Sequence, residues 1–320
     1  MEDEGTAAEG GKSVRIVSLL PSATEIVCAL GLIEDLVGIS HDCDYPPEVK
    51  GKPVLSAAVV NPSWPSEEID AAIRGQVHRG TSVYHLDAKL LQALNPDLIL
   101  TQELCRVCAP SFTEVVQAAR ILDAAPRIVS LEPNTLEEIL QTILLVGDLT
   151  GRKAQAEALV QDLRTRIERV GRMPWKERPR VACIEWLEPV FIAGHWVPEM
   201  VALAGGVDGL GEPGKPSYPV DWQAVVDYRP EVIVLMPCGF DAERTLREVN
   251  ALERLPGWED LPAVRNGQVY ATDASSFFNR PGPRVIDGLE ILANILHPDQ
   301  IVFPTPAGSW RRVGTGASVS

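Results

Sequence analysis

Short apolar runs alternate with helix-length segments along this chain, and they do so in two successive sets. Arg15-Ile-Val-Ser-Leu19, Leu36-Val-Gly-Ile39, Asp97-Leu-Ile-Leu-Thr101 and Arg127-Ile-Val-Ser130 make up the first set. Arg180-Val-Ala-Cys-Ile184, Glu231-Val-Ile-Val-Leu235 and Gln268-Val-Tyr-Ala271 make up the second. These runs are short and almost continuously apolar, the pattern of strands covered on both faces. Separated by helical patterns, they predict parallel sheets with crossover helices. Pro21-Ser-Ala-Thr-Glu25 opens one such helix, with Ser22 or Thr24 placed to cap it and Gly31 placed to end it.

The two sets echo each other. Asn95-Pro-Asp-Leu-Ile-Leu and Arg229-Pro-Glu-Val-Ile-Val share one form, a proline turn feeding a buried strand. The chain has 320 residues, which suits about two domains at roughly 100–200 residues each. Between the sets, Leu136 to Leu149 carries apolar residues at helical spacing. After Thr150-Gly151 the pattern resumes to about Val170 in strong helix formers. A helix of about 19 residues spans roughly 28 Å, and a stiff helix limits hinging in a way a flexible linker does not. The expected fold class is therefore α/β, with two parallel-sheet α/β lobes joined by a single long helix and a ligand cleft between the lobes. The expected boundaries are an acidic flexible N-terminus at 1–13, an N-terminal lobe at 14–135, a helical segment at 136–172, a C-terminal lobe at 173–302 and a flexible tail at 303–320.

Composition excludes some partners. The chain has 29 Lys+Arg against 44 Asp+Glu, a net charge of -15, so it lacks the basic face that nucleic acid requires. No apolar run approaches the roughly 20 residues that span a bilayer, so no membrane insertion is expected. Met1 to Gly11 is acidic rather than basic-then-apolar, unlike a secretory signal. The sequence as given therefore reads as cytoplasmic, or as periplasmic or extracellular if a leader was removed.

In parallel α/β sheets, ligands bind beyond the carboxyl ends of the strands. The segments there are His41-Asp-Cys-Asp-Tyr-Pro46, Thr101-Gln-Glu-Leu-Cys-Arg-Val-Cys108, Glu185-Trp-Leu-Glu-Pro-Val-Phe191, Met236-Pro-Cys-Gly-Phe240 and Asp273-Ala-Ser-Ser-Phe-Phe-Asn-Arg280. They are rich in aromatics, which suits a large, flat, partly apolar ligand or, alternatively, packing between lobes. No phosphate loop, G-x-S-x-G elbow or Ser/His/Asp set stands out. A non-catalytic binding role is expected. Carboxylates such as Glu185 and Glu188 could serve as an acid/base pair, but the sequence shows nothing to shift their pKa values.

The six cysteines divide by position. Cys28 and Cys183 fall within apolar elements and read as core. Cys43, Cys105, Cys108 and Cys238 fall in cleft-side loops, where thiolates are able to hold zinc or an iron–sulfur cluster. A metal-handling or redox protein built on these thiols is the alternative to simple ligand capture; a redox pair and plain packing remain open for the same residues.

The ordered series Arg15-Ile-Val-Ser-Leu-Leu-Pro-Ser-Ala-Thr-Glu25, Val37-Gly-Ile-Ser, Asp44-Tyr-Pro-Pro47, Asn95-Pro-Asp, Glu188-Pro-Val-Phe-Ile-Ala-Gly194, Tyr218-Pro, Arg229-Pro-Glu and Phe278-Asn-Arg280 resembles the cobalamin-binding proteins of ABC importers. The resemblance covers about residues 14–297. It implies capture of cobalamin or a related corrinoid between the lobes, with an importer membrane subunit as partner. Siderophore and haem carriers share the fold. By this resemblance Tyr45, Phe191, Tyr218 and Phe278 flank the corrin, with Asp273 and Arg280 as polar contacts; loop position adds Trp64, Trp186 and Trp196. The family's importer-docking acids correspond to Asp87 and Gln223, so one acid is lost. The segment from about Ala57 to Tyr84 reads as an insertion, and the four loop cysteines have no counterpart in the exported carriers.

Overall fold

The computed structural model describes residues 14–58, 60–61, 63–78, 84–102, 112–120, 125–300 and 303–314. The N-terminal lobe contains β1 (Ile16–Ser18), α1 (Pro21–Ala29), β2 (Leu36–Ile39), β3 (Ser56–Ala58), α2 (Ser66–His78), β4 (Tyr84–Leu86), α3 (Ala88–Leu94), β5 (Leu98–Thr101), α4 (Phe112–Ala119) and β6 (Arg127–Ser130). Its main sheet runs β2-β1-β5-β6 with parallel pairing throughout. β3 and β4 form a separate antiparallel pair, and α2 lies in the segment looped out between them.

Two helices follow, α5 (Leu136–Leu149) and α6 (Lys153–Gly171). They pack closely: a Cβ at Gly147 would collide with the Ala156 methyl. Thr135 caps α5 by accepting the Glu138 N–H at 3.2 Å. α6 buries Ala156, Val160, Leu163 and Val170, an apolar stripe at helical spacing.

The C-terminal lobe contains β7 (Arg180–Leu187), β8 (Val190–Ile192), α7 (Val197–Leu203), β9 (Val207–Asp208), β10 (Tyr218–Pro219), α8 (Trp222–Tyr228), β11 (Val232–Leu235), α9 (Ala242–Glu248), α10 (Asn250–Glu253), α11 (Pro262–Arg265), β12 (Val269–Thr272), α12 (Ala274–Phe277), α13 (Val285–Leu296) and β13 (Trp310–Arg312). Strands β7, β11 and β12 are parallel, as expected. The sheet as a whole is mixed, not parallel: β8 returns antiparallel to β7, β10 pairs antiparallel with β8, and β13 pairs antiparallel with β12. The cause is loop length. Glu188 and Pro189 alone separate β7 from β8, and so short a turn forces a hairpin, because parallel pairing needs a crossover of a dozen or more residues. The segment expected as a flexible tail supplies β13, whose Trp310 packs edge-on to Tyr270 at 5.6 Å.

The sequence echo has a structural cause. Asn95 and Arg229 each cap a helix in the left-handed region, at φ 41° and 53°, and the following proline turns the chain into β5 or β11. Arg15 Nε donates to the Leu94 carbonyl at 3.0 Å, and its backbone N–H donates to Asp97 at 2.9 Å. In the second lobe Arg180 Nε donates to the Arg229 carbonyl at 3.0 Å, and its N–H to Glu231 at 2.9 Å. One arginine at the start of each lobe's first strand thus closes a helix end and meets the acid after the proline.

The lobes share an apolar cluster that runs from Leu20, Ile26 and Leu136 through Val160 and Leu163 to Met200 and Leu289. Polar bridges reinforce it. Arg284 grips Glu25 bidentately at 2.6 and 3.0 Å, and Arg166 and Arg169 tie α6 to Glu290 on α13 at 2.7 and 2.8 Å. A continuous core with buried ion pairs leaves the lobes little freedom to swing apart.

Candidate ligand cleft

The carboxyl ends of both sheets face one cleft of about 670 Å³, inside the roughly 300–1,000 Å³ range of small-molecule sites. Ser22 follows β1, His41 and Asp42 follow β2, and Gln102 follows β5. From the second lobe come Glu185 and Trp186 at the end of β7, Phe240 after β11, and Phe278 after β12. A parallel strand ends where its crossover helix begins, so the loops at this edge are the ones free to carry polar and aromatic groups.

One wall is aromatic. Trp186 tilts against Phe240 at 5.4 Å between ring centres, and Arg244 lies over the other ring at 3.6 Å. Trp196 is buried, stacks beside His195 at 5.5 Å, and donates its indole N–H to the Phe278 carbonyl at 2.9 Å. Phe191 on β8 completes this wall. Two polar atoms here, Trp186 Nε1 and Asn279 Oδ1, are buried without a hydrogen-bond partner among the described residues.

Beneath the aromatics lies Glu185. Burial pushes its carboxyl up to about 7, against the opposing pull of the Ser217 hydroxyl and the Gly194 N–H. Gly194 itself admits no side chain, because a Cβ there would meet the Pro216 carbonyl carbon and the Ser217 nitrogen at 2.6 Å. Two histidines face the cleft. His195 adopts φ 51° and pairs through Nδ1 with Asn134 Oδ1 across the lobes at 3.1 Å. Burial lowers its pKa, which favours the neutral ring at pH 7. His41 pairs through Nδ1 with Ser56 Oγ at 2.8 Å.

The expected site residues divide. Trp186, Phe191, Trp196, Phe278, Arg280 and Cys238 line the cleft, whereas Tyr45, Trp64, Tyr218, Asp273 and Cys43 do not. Tyr45 is 43% exposed, with the Arg284 guanidinium 3.9 Å over its ring. Trp64 is 40% exposed. Tyr218 lies between the cleft-lining Ser217 and Pro219; alternation along β10 turns it to the opposite face, where its hydroxyl donates to the Leu210 carbonyl at 2.6 Å. Asp273 caps α12 through the Ser276 N–H at 3.0 Å. Arg280 reaches the cleft but is engaged by Asp44, Glu25, Ser275 and the Asp42 carbonyl, so it bridges the lobes.

The thiols separate too. Cys43 is enclosed by Thr24 Oγ1 at 3.0 Å and Ser40 Oγ at 3.2 Å, and burial raises its pKa, which opposes thiolate formation. Cys105 and Cys108 lie outside the described residues. Among the described residues, no three His, Cys, Asp or Glu side chains gather to hold a metal ion. Asp87, expected at a docking position, caps α3 through the Leu90 N–H at 2.9 Å. Gln223, expected at the other docking position, donates to Asp227 at 2.8 Å.

Sequence reading passed over α2, whose Ile69 and Ile73 also line the cleft. Their i,i+4 spacing beside the charged residues Glu67, Glu68, Asp70 and Arg74 was the available signal.

The periplasmic binding protein family matches residues 16–276, and the chain belongs to it. Among relatives, the vitamin B12-binding protein of Vibrio cholerae is 25% identical over 286 residues, 88% of each chain. An ABC transporter substrate-binding lipoprotein of Bacillus subtilis is 26% identical over 298 residues, 89% of this chain and 80% of that one. Among solved structures, a periplasmic haem-binding protein of Pseudomonas aeruginosa superposes with a TM-score of 0.70 at 21% identity, covering 94% of this chain and 98% of that one. The periplasmic vitamin B12-binding protein of Vibrio cholerae superposes with a TM-score of 0.65 at 23% identity, covering 89% and 98%. These establish a two-lobed α/β binding-protein fold of the kind ABC importers use. No helix among the described residues is long and apolar enough to cross a membrane.

Proposed function

We propose that this chain captures cobalamin or a related corrinoid between its lobes, without catalysis, as the substrate-binding component of an ABC importer. The observation that carries this is the mixed lining of the cleft: the second lobe brings the part-exposed rings of Trp186 and Phe191 beside the buried Trp196 and Phe278, and the first lobe brings the polar His41, Asp42 and Gln102 along with the apolar Leu20, Ile69 and Ile73. A corrin has a broad apolar face and amide arms at its rim. The rigid rings offer contact area at low entropic cost. The unpartnered Trp186 Nε1 and Asn279 Oδ1 match the acceptor and donor of a carboxamide. The vitamin B12-binding name of the Vibrio cholerae relative points the same way. The periplasmic or extracellular setting, which the sequence left open beside the cytoplasm, is the location this reading implies.

The test is titration of purified protein with cyanocobalamin, followed by corrin absorbance and tryptophan fluorescence, with haemin in parallel. Saturable binding of cyanocobalamin at micromolar concentrations is expected. Binding of haemin alone refutes the corrinoid assignment, and binding of neither refutes ligand capture of this class.

A further inference from the structure

The helix α2 belongs to the first lobe by sequence, yet it is fastened to the second. It sits in the segment looped out between β3 and β4, whose ends are brought together by the Ala58↔Tyr84 pairing. From there it reaches the second lobe, where it lines part of the cleft and lies against β7. Its first N–H, from Ser66, donates to Glu248 Oε2 at 2.9 Å, although the two residues are 182 positions apart. Just before it, the Trp64 carbonyl accepts from Arg244 at 2.9 Å. Arg244 and Glu248 are neighbours on α9, 3.5 Å apart. A carboxylate at a helix N-terminus satisfies an orphan N–H and complements the helix dipole, so these contacts form a latch.

The face that α2 turns inward stands apart from the apolar core among the described residues. Ile69 and Ile73 line the cleft, and neither belongs to any of the three apolar clusters among the described residues. Asp70 and Arg74 pair with each other one turn apart beside them. Glu67, Glu68 and Ala71 are exposed, and only Ser66 and Ile69 are fully buried among residues 66–76. An element with so little buried apolar surface opens at low cost. What its apolar face covers is the space where a ligand binds.

We propose that α2 is a clasp on the cleft: Ile69 and Ile73 rest on the apolar face of the bound ligand, and the contacts of Glu248 with Ser66 and of Arg244 with Trp64 set how fast the ligand leaves. The ligand part rests on the proposed function; the latch does not. A ligand seated under α2 is held between aromatic rings of the second lobe and two isoleucines carried over from the first. Release then requires α2 to lift, even though the lobes stay joined by their shared core.

The experiment uses Glu248→Ala, which removes the acceptor for the Ser66 N–H; Glu248 does not itself line the cleft, although its ion-pair partner Arg244 does. In the free protein, hydrogen–deuterium exchange across α2 is expected to accelerate about tenfold, the effect of losing one charge-assisted hydrogen bond, while β7 and β11 keep their protection. Equal exchange in α2 overturns the latch. Protein preloaded with cyanocobalamin, and separately with haemin, is then chased in a stopped-flow instrument. About tenfold faster release from the variant, with association no slower, is expected for whichever probe binds. Unchanged release of a probe that binds overturns the clasp. If wild type binds neither probe, the proposed function fails instead, and the exchange measurement alone decides the latch. Ile73→Ala gives a second check: faster release with α2 exchange unchanged is expected, and unchanged release removes the isoleucine contact from the proposal.

Discussion

Replacing Glu185 with Gln isolates the most perturbed carboxyl in the cleft. Gln keeps the shape of the protonated acid and cannot ionise. Burial moves the Glu185 carboxyl from 4.5 to about 7, and at about 1.36 kcal/mol per pH unit ionisation costs about 3 kcal/mol more in the fold than in the unfolded chain. The sign follows from linkage. Between pH 4.5 and 7 the folded state holds a proton that the unfolded state has lost, so this group's contribution is full below 4.5 and is lost as pH rises through 7. Wild type and Glu185→Gln are therefore expected to be closely similar in stability at pH 4. At pH 8 the variant should be the more stable by up to about 3 kcal/mol, an upper figure because water in the cleft screens part of the charge. Urea unfolding of both proteins at pH 4, 6 and 8 measures the difference, and every other titrating group cancels between them. Parallel pH profiles, or a gap that closes as pH rises, would refute the argument that Glu185 is held neutral by its surroundings.

Three other outcomes are expected. Arg284→Ala leaves Glu25 buried without its bidentate partner and should destabilise by about 3–5 kcal/mol, with Glu25→Gln/Arg284→Met recovering much of the loss in chemical denaturation. Phe191→Ala should weaken cyanocobalamin binding by about 1–3 kcal/mol through lost ring contact; an unchanged isotherm would move the ligand off this wall. Gly147→Ala forces apart α5 and α6, where a Cβ collides with Ala156, and should lower stability by about 1–3 kcal/mol, read as a drop in Tm without loss of the far-ultraviolet helix signal.

Much of the fold was legible because its signals are local. A strand buried on both faces must be apolar along its length, and Leu98–Thr101 and Val232–Leu235 advertise this in four residues each. The proline turns at Asn95 and Arg229 repeat because both lobes end a helix and enter a strand in the same way. The mixed C-terminal sheet was less legible: pairing direction between β7 and β8 depends on a two-residue connection, and the final strand β13 sits in a segment whose Gly and Ser content reads as loop. The cleft edge was foreseeable from the strand ends, and Trp186, Trp196 and Phe191 line it. Tyr218 lies off the cleft lining because alternation along a two-residue strand turns its side chain to the other face, and Asp273 caps α12, a role that looks like a ligand contact in sequence.

By itself, the sequence determined the two α/β lobes, the helix between them and the strand ends that line the cleft, since each depends on patterns within a dozen residues. Only the tertiary structure decided what each polar group does there. Arg280 joins the lobes because Glu25 and Asp44 come to it from more than 230 positions away. Glu185 is held near neutrality by burial that no neighbouring residue encodes, and α2 closes over the cleft because Glu248 meets its first N–H. Hydrogen bonds and desolvation act through space at a few ångströms, and chain separation carries no record of which distant groups will share that space.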